Sequence, residues 1–118
     1  MRYKPTAVAL IGLVILASCQ SSDDREHRKT LDALVQRHAT ESDVARLLGP
    51  GYTKYQKGTP NWEALQTFLQ REPSSALRLL RENMTKYPTV IYYTTAWRMT
   101  WIFLDDKGVI RTYYLTVQ

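Results

Sequence analysis

Three hydrophobic patterns follow one another along the chain. Ala7 to Ala17 is an apolar run broken only by Gly12. From about residue 24 to 86 the apolar residues recur at helical spacing, and from about 89 to 117 the period changes to two. A first helix is predicted from about Asp24 to His38, capped by Asp23 or Asp24, with a thin face of Leu31, Leu34 and Val35 beside His27 and His38. A second begins after Thr40, where Thr40-Glu41-Ser42-Asp43 has the form of a capping box. Its face is Val44, Leu47 and Leu48, and Gly49-Pro50 stops it. Gly51 to Thr59 reads as a loop. A third helix starts at Pro60 and turns Trp62, Leu65, Phe68 and Leu69 to the core, ending at Glu72-Pro73. A fourth, capped by Ser74 or Ser75, carries Leu77, Leu80 and Met84 as far as Tyr87-Pro88.

The period-two region predicts strands at 89–95, 97–105 and 109–117. The Thr95-Ala96 link is very short, so 89–95 is either a strand of its own or a bend of the next, and the sheet has two to three strands. Asp106-Lys107-Gly108 suits a three-residue hairpin loop with a bulge at the glycine. That loop sets Trp101 opposite Tyr113, Met99 opposite Leu115 and Trp97 opposite Val117, giving one apolar and one mostly polar face. Trp97 and Trp101 then belong to the core. Helices followed by strands make an α+β domain, with N-terminal helices packed on one face of a C-terminal antiparallel sheet.

Composition adds little to this picture: 44% hydrophobic and 23% charged residues are an ordinary globular mixture. The net charge of +5 comes from scattered basic residues that form no run, which argues against a nucleic-acid partner. Two histidines about three turns apart cannot share a metal ion, and the single cysteine rules out a thiolate cluster. No nucleophile elbow, phosphate loop or HExxH occurs, and Asp105-Asp106 reads as turn chemistry. The expectation is a protein that is not an enzyme and uses no cofactor.

The N-terminus carries an address. Arg2 and Lys4 precede the apolar run, which is about half the roughly 20 residues a membrane span needs. This is the layout of a secretory signal peptide. Leu16-Ala17-Ser18-Cys19 resembles a bacterial lipobox. The resemblance implies cleavage before Cys19, acylation of its thiol and of the new amino group, and a mature protein lipid-anchored in the bacterial envelope. A thiol used for lipid needs no disulfide partner, which accounts for the lone cysteine. In enterobacterial relatives an aspartate after the cysteine favours the inner membrane. Gln20 stands there, so the outer membrane, facing the periplasm, is expected. The expected organisation is a signal peptide at 1–18, a lipidated tether at 19–24 and one α+β domain at 25–118.

Tyrosines carry the remaining signal. Tyr52, Tyr55, Tyr92 and Tyr114 lie outside the predicted helices and are the candidates for a protein interface. The stretch Thr40 to Gly49, "TESDVARLLG", resembles the helical signature of small outer-membrane lipoproteins of the SmpA/OmlA type, matching at Thr40, Val44, Leu48 and Gly49. That family combines a lipidated N-terminus, two helices and a three-stranded antiparallel sheet. One member is an accessory subunit of the β-barrel assembly machinery. This chain departs at His38-Ala39, where the family has glycine, at Pro50, which comes one residue early, and in the added helical stretch 61–86. These features together imply a non-catalytic adaptor that binds another envelope protein. The alternative is a lipoprotein inhibitor or immunity protein that neutralises a periplasmic toxin or hydrolase, with Gly51 to Gly58 as its plug.

Overall fold

The computed structural model describes residues 23–72, 74–95 and 97–117. Cys19 and the signal and lipidation readings lie outside these residues. Two compact units divide between Ala33 and Leu34. Residues 23–36 are helical (α1), so Asp23 and Asp24, read as the end of the tether, already belong to a helix. In the first unit Leu31 is fully buried, and Lys29 lies 3.7 Å from Glu26.

The second unit holds α2 (Glu41–Leu48), β1 (Thr53–Gln56), α3 (Pro60–Arg71), a 3-10 turn (Ser75–Leu77), α4 (Arg78–Lys86), β2 (Thr89–Thr94), β3 (Arg98–Leu104) and β4 (Ile110–Val117). The starts of α2 and α3 follow the expected chemistry, whereas α4 begins at Arg78 behind Leu77 with no side-chain cap, because Ser75–Leu77 forms a 3-10 turn where Ser74 or Ser75 was expected to cap the helix. The Thr40 hydroxyl accepts the Asp43 N–H, and Asp43 Oδ2 accepts the Thr40 N–H at 3.0 Å. Gly49 ends α2 at φ 102, which favours glycine. Pro60 opens α3.

The four strands form one antiparallel sheet in the order β1-β2-β3-β4, which confirms the α+β class but corrects the strand count. The added strand, β1, comes from the expected loop and pairs Thr53 with Tyr92 and Tyr55 with Val90. Residues 89–94 are a strand in their own right, closed onto β3 by the Thr95 N–H to the Arg98 carbonyl at 2.8 Å.

The hairpin register differs from expectation by one residue. The turn forms as read: Gly108 sits at φ 77, its N–H meets the Asp105 carbonyl at 3.0 Å, and Leu104 faces Ile110. The register then shifts, so Phe103 faces Thr112 and Trp101 faces Tyr114, not Tyr113. Arg111 is the extra residue. The shift puts Leu115 on the side of Thr100 and Ile102.

That side is not polar. Ile91, Ile102, Leu104 and Ile110 are fully buried there, just as Val90 and Phe103 are on the other. Both faces of β3 are therefore covered, and its alternation carries no polarity signal. On the Phe103 side, Trp62 and Leu69 of α3 and Leu80 and Met84 of α4 join Val90, Trp101 and Phe103 in one core. On the other side, the side chains of Lys54 and Tyr93 bond to Glu41 and Gly49, at the two ends of α2. Three residues assigned to the core are largely exposed: Leu47, Phe68 and Trp97.

Candidate interaction site

The β3–β4 shift and the β1–β2 pairing together assemble an aromatic group. Trp101 is the centre, at 9% exposure. Tyr92 faces it from β2 and stacks on it, with ring centroids 4.1 Å apart and planes at 26°. Tyr114 faces it from β4. Tyr55 of β1 lies 6.4 Å away, tilted by 33°. Three of the four candidate tyrosines therefore meet at one tryptophan, each half-buried against the core. Their rings are held by packing. The Tyr55 and Tyr92 hydroxyls make no hydrogen bond among the described residues. A rigid ring with an unspent hydroxyl is the kind of group that anchors a protein contact at low entropic cost.

Tyr52 belongs elsewhere. Its hydroxyl donates to Glu41 Oε2 at 2.8 Å, and its ring lies 5.4 Å from that of Tyr93. Lys54 Nζ reaches Glu41 Oε1 at 2.9 Å, and the Tyr93 hydroxyl donates to the Gly49 carbonyl at 2.7 Å. Burial raises the Glu41 carboxyl, but the bonds from Lys54 and Tyr52 outweigh it, and its pKa lies below the usual value. Tyr52 is raised, first by its bond to Glu41. Tyr93 is pushed up to about 12, first by burial and then by the charges that Tyr52 and Glu41 would present to a phenolate. This polar group fastens α2 to the sheet, and sequence patterning did not reveal it. Lys54 and Glu41 carry no helical or strand signal that links them.

The Tyr93 shift has a defined sign. The folded chain holds this proton above the ordinary value of 10. The resulting stability is fully present below pH 10 and is lost as pH rises through about 12. Urea midpoints of the parent should fall more steeply over that window than those of Tyr93→Phe. Equal slopes would refute the assignment.

A polar cleft of about 380 Å³ lies between Glu41, Lys54, Gln56, Thr89, Asp105 and Asp106. Glu41 and Lys54 pair with each other there. Asp105 Oδ1 accepts the Lys107 and Val109 N–H groups at 2.9 and 3.0 Å, as turn chemistry requires. The bond from Val109 leads the causes that lower the Asp105 pKa. Among the described residues no group of three or more histidines, cysteines or carboxylates could hold a metal, and no helix is long and apolar enough to cross a membrane.

The expected plug loop is also different. Residues 53–56 are tied into the sheet, with the Lys57 N–H on the Pro88 carbonyl at 2.8 Å and Asn61 Nδ2 on the Lys54 carbonyl at 2.7 Å. Comparison with family models, with curated proteins and with solved structures finds no match.

Proposed function

We propose that this chain is a lipid-anchored, non-catalytic adaptor or accessory subunit. It faces the periplasm from the membrane, with lipid on Cys19, and binds another envelope protein. The observation that carries the reading is the convergence of Tyr55, Tyr92 and Tyr114 on Trp101. The lipobox-like Leu16-Ala17-Ser18-Cys19 supports the anchor and the compartment. Confinement to a surface raises the effective concentration of adaptor and partner, so a modest aromatic patch suffices. The SmpA/OmlA resemblance agrees with this role through α2 and its cap, while the sheet has one more strand than that family implies. The inhibitor reading drew on Gly51 to Gly58 as a free plug, and the pairing of β1 removes that support.

The test is in-cell crosslinking of the full lipidated chain, with mass spectrometry of what is captured. Tyr55→Ala should reduce recovery of the main envelope partner by roughly tenfold, a typical anchor loss of about 1–2 kcal/mol. Lys107→Ala, in the exposed turn, is the control and should leave capture unchanged. Thermal unfolding of both variants separates lost binding from lost fold. Undiminished capture by a folded Tyr55→Ala protein would remove the aromatic group from the interface.

A further inference from the structure

The polar cleft has a definite build. Gln56, Thr89 and Leu104 are neighbours in one row across β1, β2 and β3, and all three line it. Thr89 and Leu104 form its buried base. Glu41 and Lys54 join the lining from α2 and β1, and Asp105, Asp106 and Gly108 join it from the β3–β4 turn. The Glu41 N–H meets the Gly108 carbonyl at 3.1 Å, which ties the start of α2 to that turn.

Two independent features point to a ligand. Thr89 is only 7% exposed, yet its hydroxyl makes no hydrogen bond among the described residues. Buried hydroxyls are ordinarily satisfied, and this one belongs to the wall of a cleft that opens to solvent. The other feature is charge. The lining carries three carboxylates against one ammonium, on a chain whose net charge is +5. Lys54 is already paired with Glu41. Asp105 is engaged by the turn N–H groups and lies 3.5 Å from Arg111. Asp106 is exposed and makes no ion pair or hydrogen bond among the described residues. The groups left over are acceptors: the Asp106 carboxylate, the Gln56 amide oxygen and the Thr89 hydroxyl. A fitting ligand brings positive charge and several donors. A metal ion does not fit, because no metal-holding group of carboxylates exists among the described residues.

We propose that this cleft receives the guanidinium group of an arginine side chain from a partner protein. Asp106 pairs with its charge, and Gln56 and Thr89 accept from its remaining N–H groups. A guanidinium carries its donors in one rigid plane and is more weakly hydrated than an ammonium, so it suits separate acceptors around a buried base. Pro88 and Leu104 give the aliphatic stem apolar surface to lie on. At about 380 Å³ the cleft is of a size that holds small ligands. Thr89 and Val90 are adjacent on β2, so the cleft opens on the sheet face opposite Tyr55, Tyr92 and Trp101. The proposal rests on the adaptor reading only for the partner being a protein, and a small probe tests the site by itself.

The probe is arginine capped as its N-acetyl amide, titrated into the full lipidated chain in detergent micelles and followed by backbone amide shifts. Shifts at Thr89, Asp106 and Gly108 should saturate with a Kd on the order of 1 mM. Asp106→Asn should weaken binding roughly tenfold, the usual loss for a hydrogen-bonded charge. Thr89→Val should weaken it roughly threefold. Tyr55→Ala should leave it unchanged, which separates this site from the aromatic interface. Capped citrulline, which keeps the shape and lacks the charge, should produce no saturating shift. The same spectra show whether each variant is folded. Unchanged affinity in a folded Asp106→Asn protein would overturn the proposal. So would equal binding of citrulline, equal or tighter binding of capped lysine, or arginine shifts centred on Trp101 instead of the cleft.

Discussion

Phe103→Ala should destabilise the domain by about 3–5 kcal/mol, the usual range for removing a fully buried aromatic side chain. Phe103 is completely buried on β3, between Val90 of β2 and Thr112 of β4. The Tyr87 ring lies 6.3 Å away, and Trp62, Leu69, Leu80 and Met84 enclose the same space. Two strands and two helices converge there, so no single neighbour can move in to fill the void. A domain of this size has about 5–15 kcal/mol in total, so the variant should lose a large part of its urea resistance. Phe68→Ala provides the contrast. Phe68 is 53% exposed on α3, and its removal should cost less than about 1 kcal/mol. Equal losses for the two would mean that α3 is rotated from the position described.

Cys19→Ala should abolish acyl labelling of the chain. Each buried methylene contributes about 0.8 kcal/mol of membrane affinity, and stable anchoring needs more than one acyl chain. A cysteine carrying lipid on both sulfur and nitrogen would hold the protein at the membrane almost irreversibly. Without the thiol there is no site for the sulfur-linked lipid, and the chain should accumulate with residues 1–18 attached. Because that apolar segment can itself hold a precursor at the membrane, fractionation alone is a poor readout. Metabolic labelling with a fatty acid and the gel mobility of the precursor decide it. Labelling that persists in Cys19→Ala would refute the lipid anchor.

Much of the fold was readable because local chemistry marks it. Thr40, Pro60 and Gly108 each act through a cap, a first-turn proline or a left-handed turn, and each stands where its chemistry indicated. What escaped is nonlocal. β1 has one apolar residue, Tyr55, in four, and its partner strand lies beyond two helices. No window of sequence contains both. The β3 pattern Arg-Met-Thr-Trp-Ile-Phe-Leu suggested one wet face, but a central strand covered on both sides need not alternate. The bulge at Arg111 is one residue long and leaves no compositional mark, yet it decides which tyrosine meets Trp101.

The same limits shaped the reading of the site. Tyr55, Tyr92 and Tyr114 could be selected as strand or loop tyrosines, but their common neighbour could not. Tyr52 looked identical in sequence and is spent on Glu41. Leu47 and Phe68 follow helical spacing closely enough to pass as core, although they sit on the margins of their helix faces and remain exposed.

The order of the strands also sets an order of assembly. β2, β3 and β4 are joined by tight turns, so their pairing closes only short loops. β1 must cross α3 and α4 to reach β2, and the Tyr93–Gly49 bond spans 44 residues. Contacts of such sequence separation form late, because the chain loses loop entropy before it gains the contact. The three-stranded meander is thus the natural nucleus, and β1 with the end of α2 docks onto it last. Run in reverse, the same order predicts that β1 opens first in the native protein, carrying Tyr55 away from Trp101, and that amide protection at residues 53–56 is lost before that at 98–104 in hydrogen exchange.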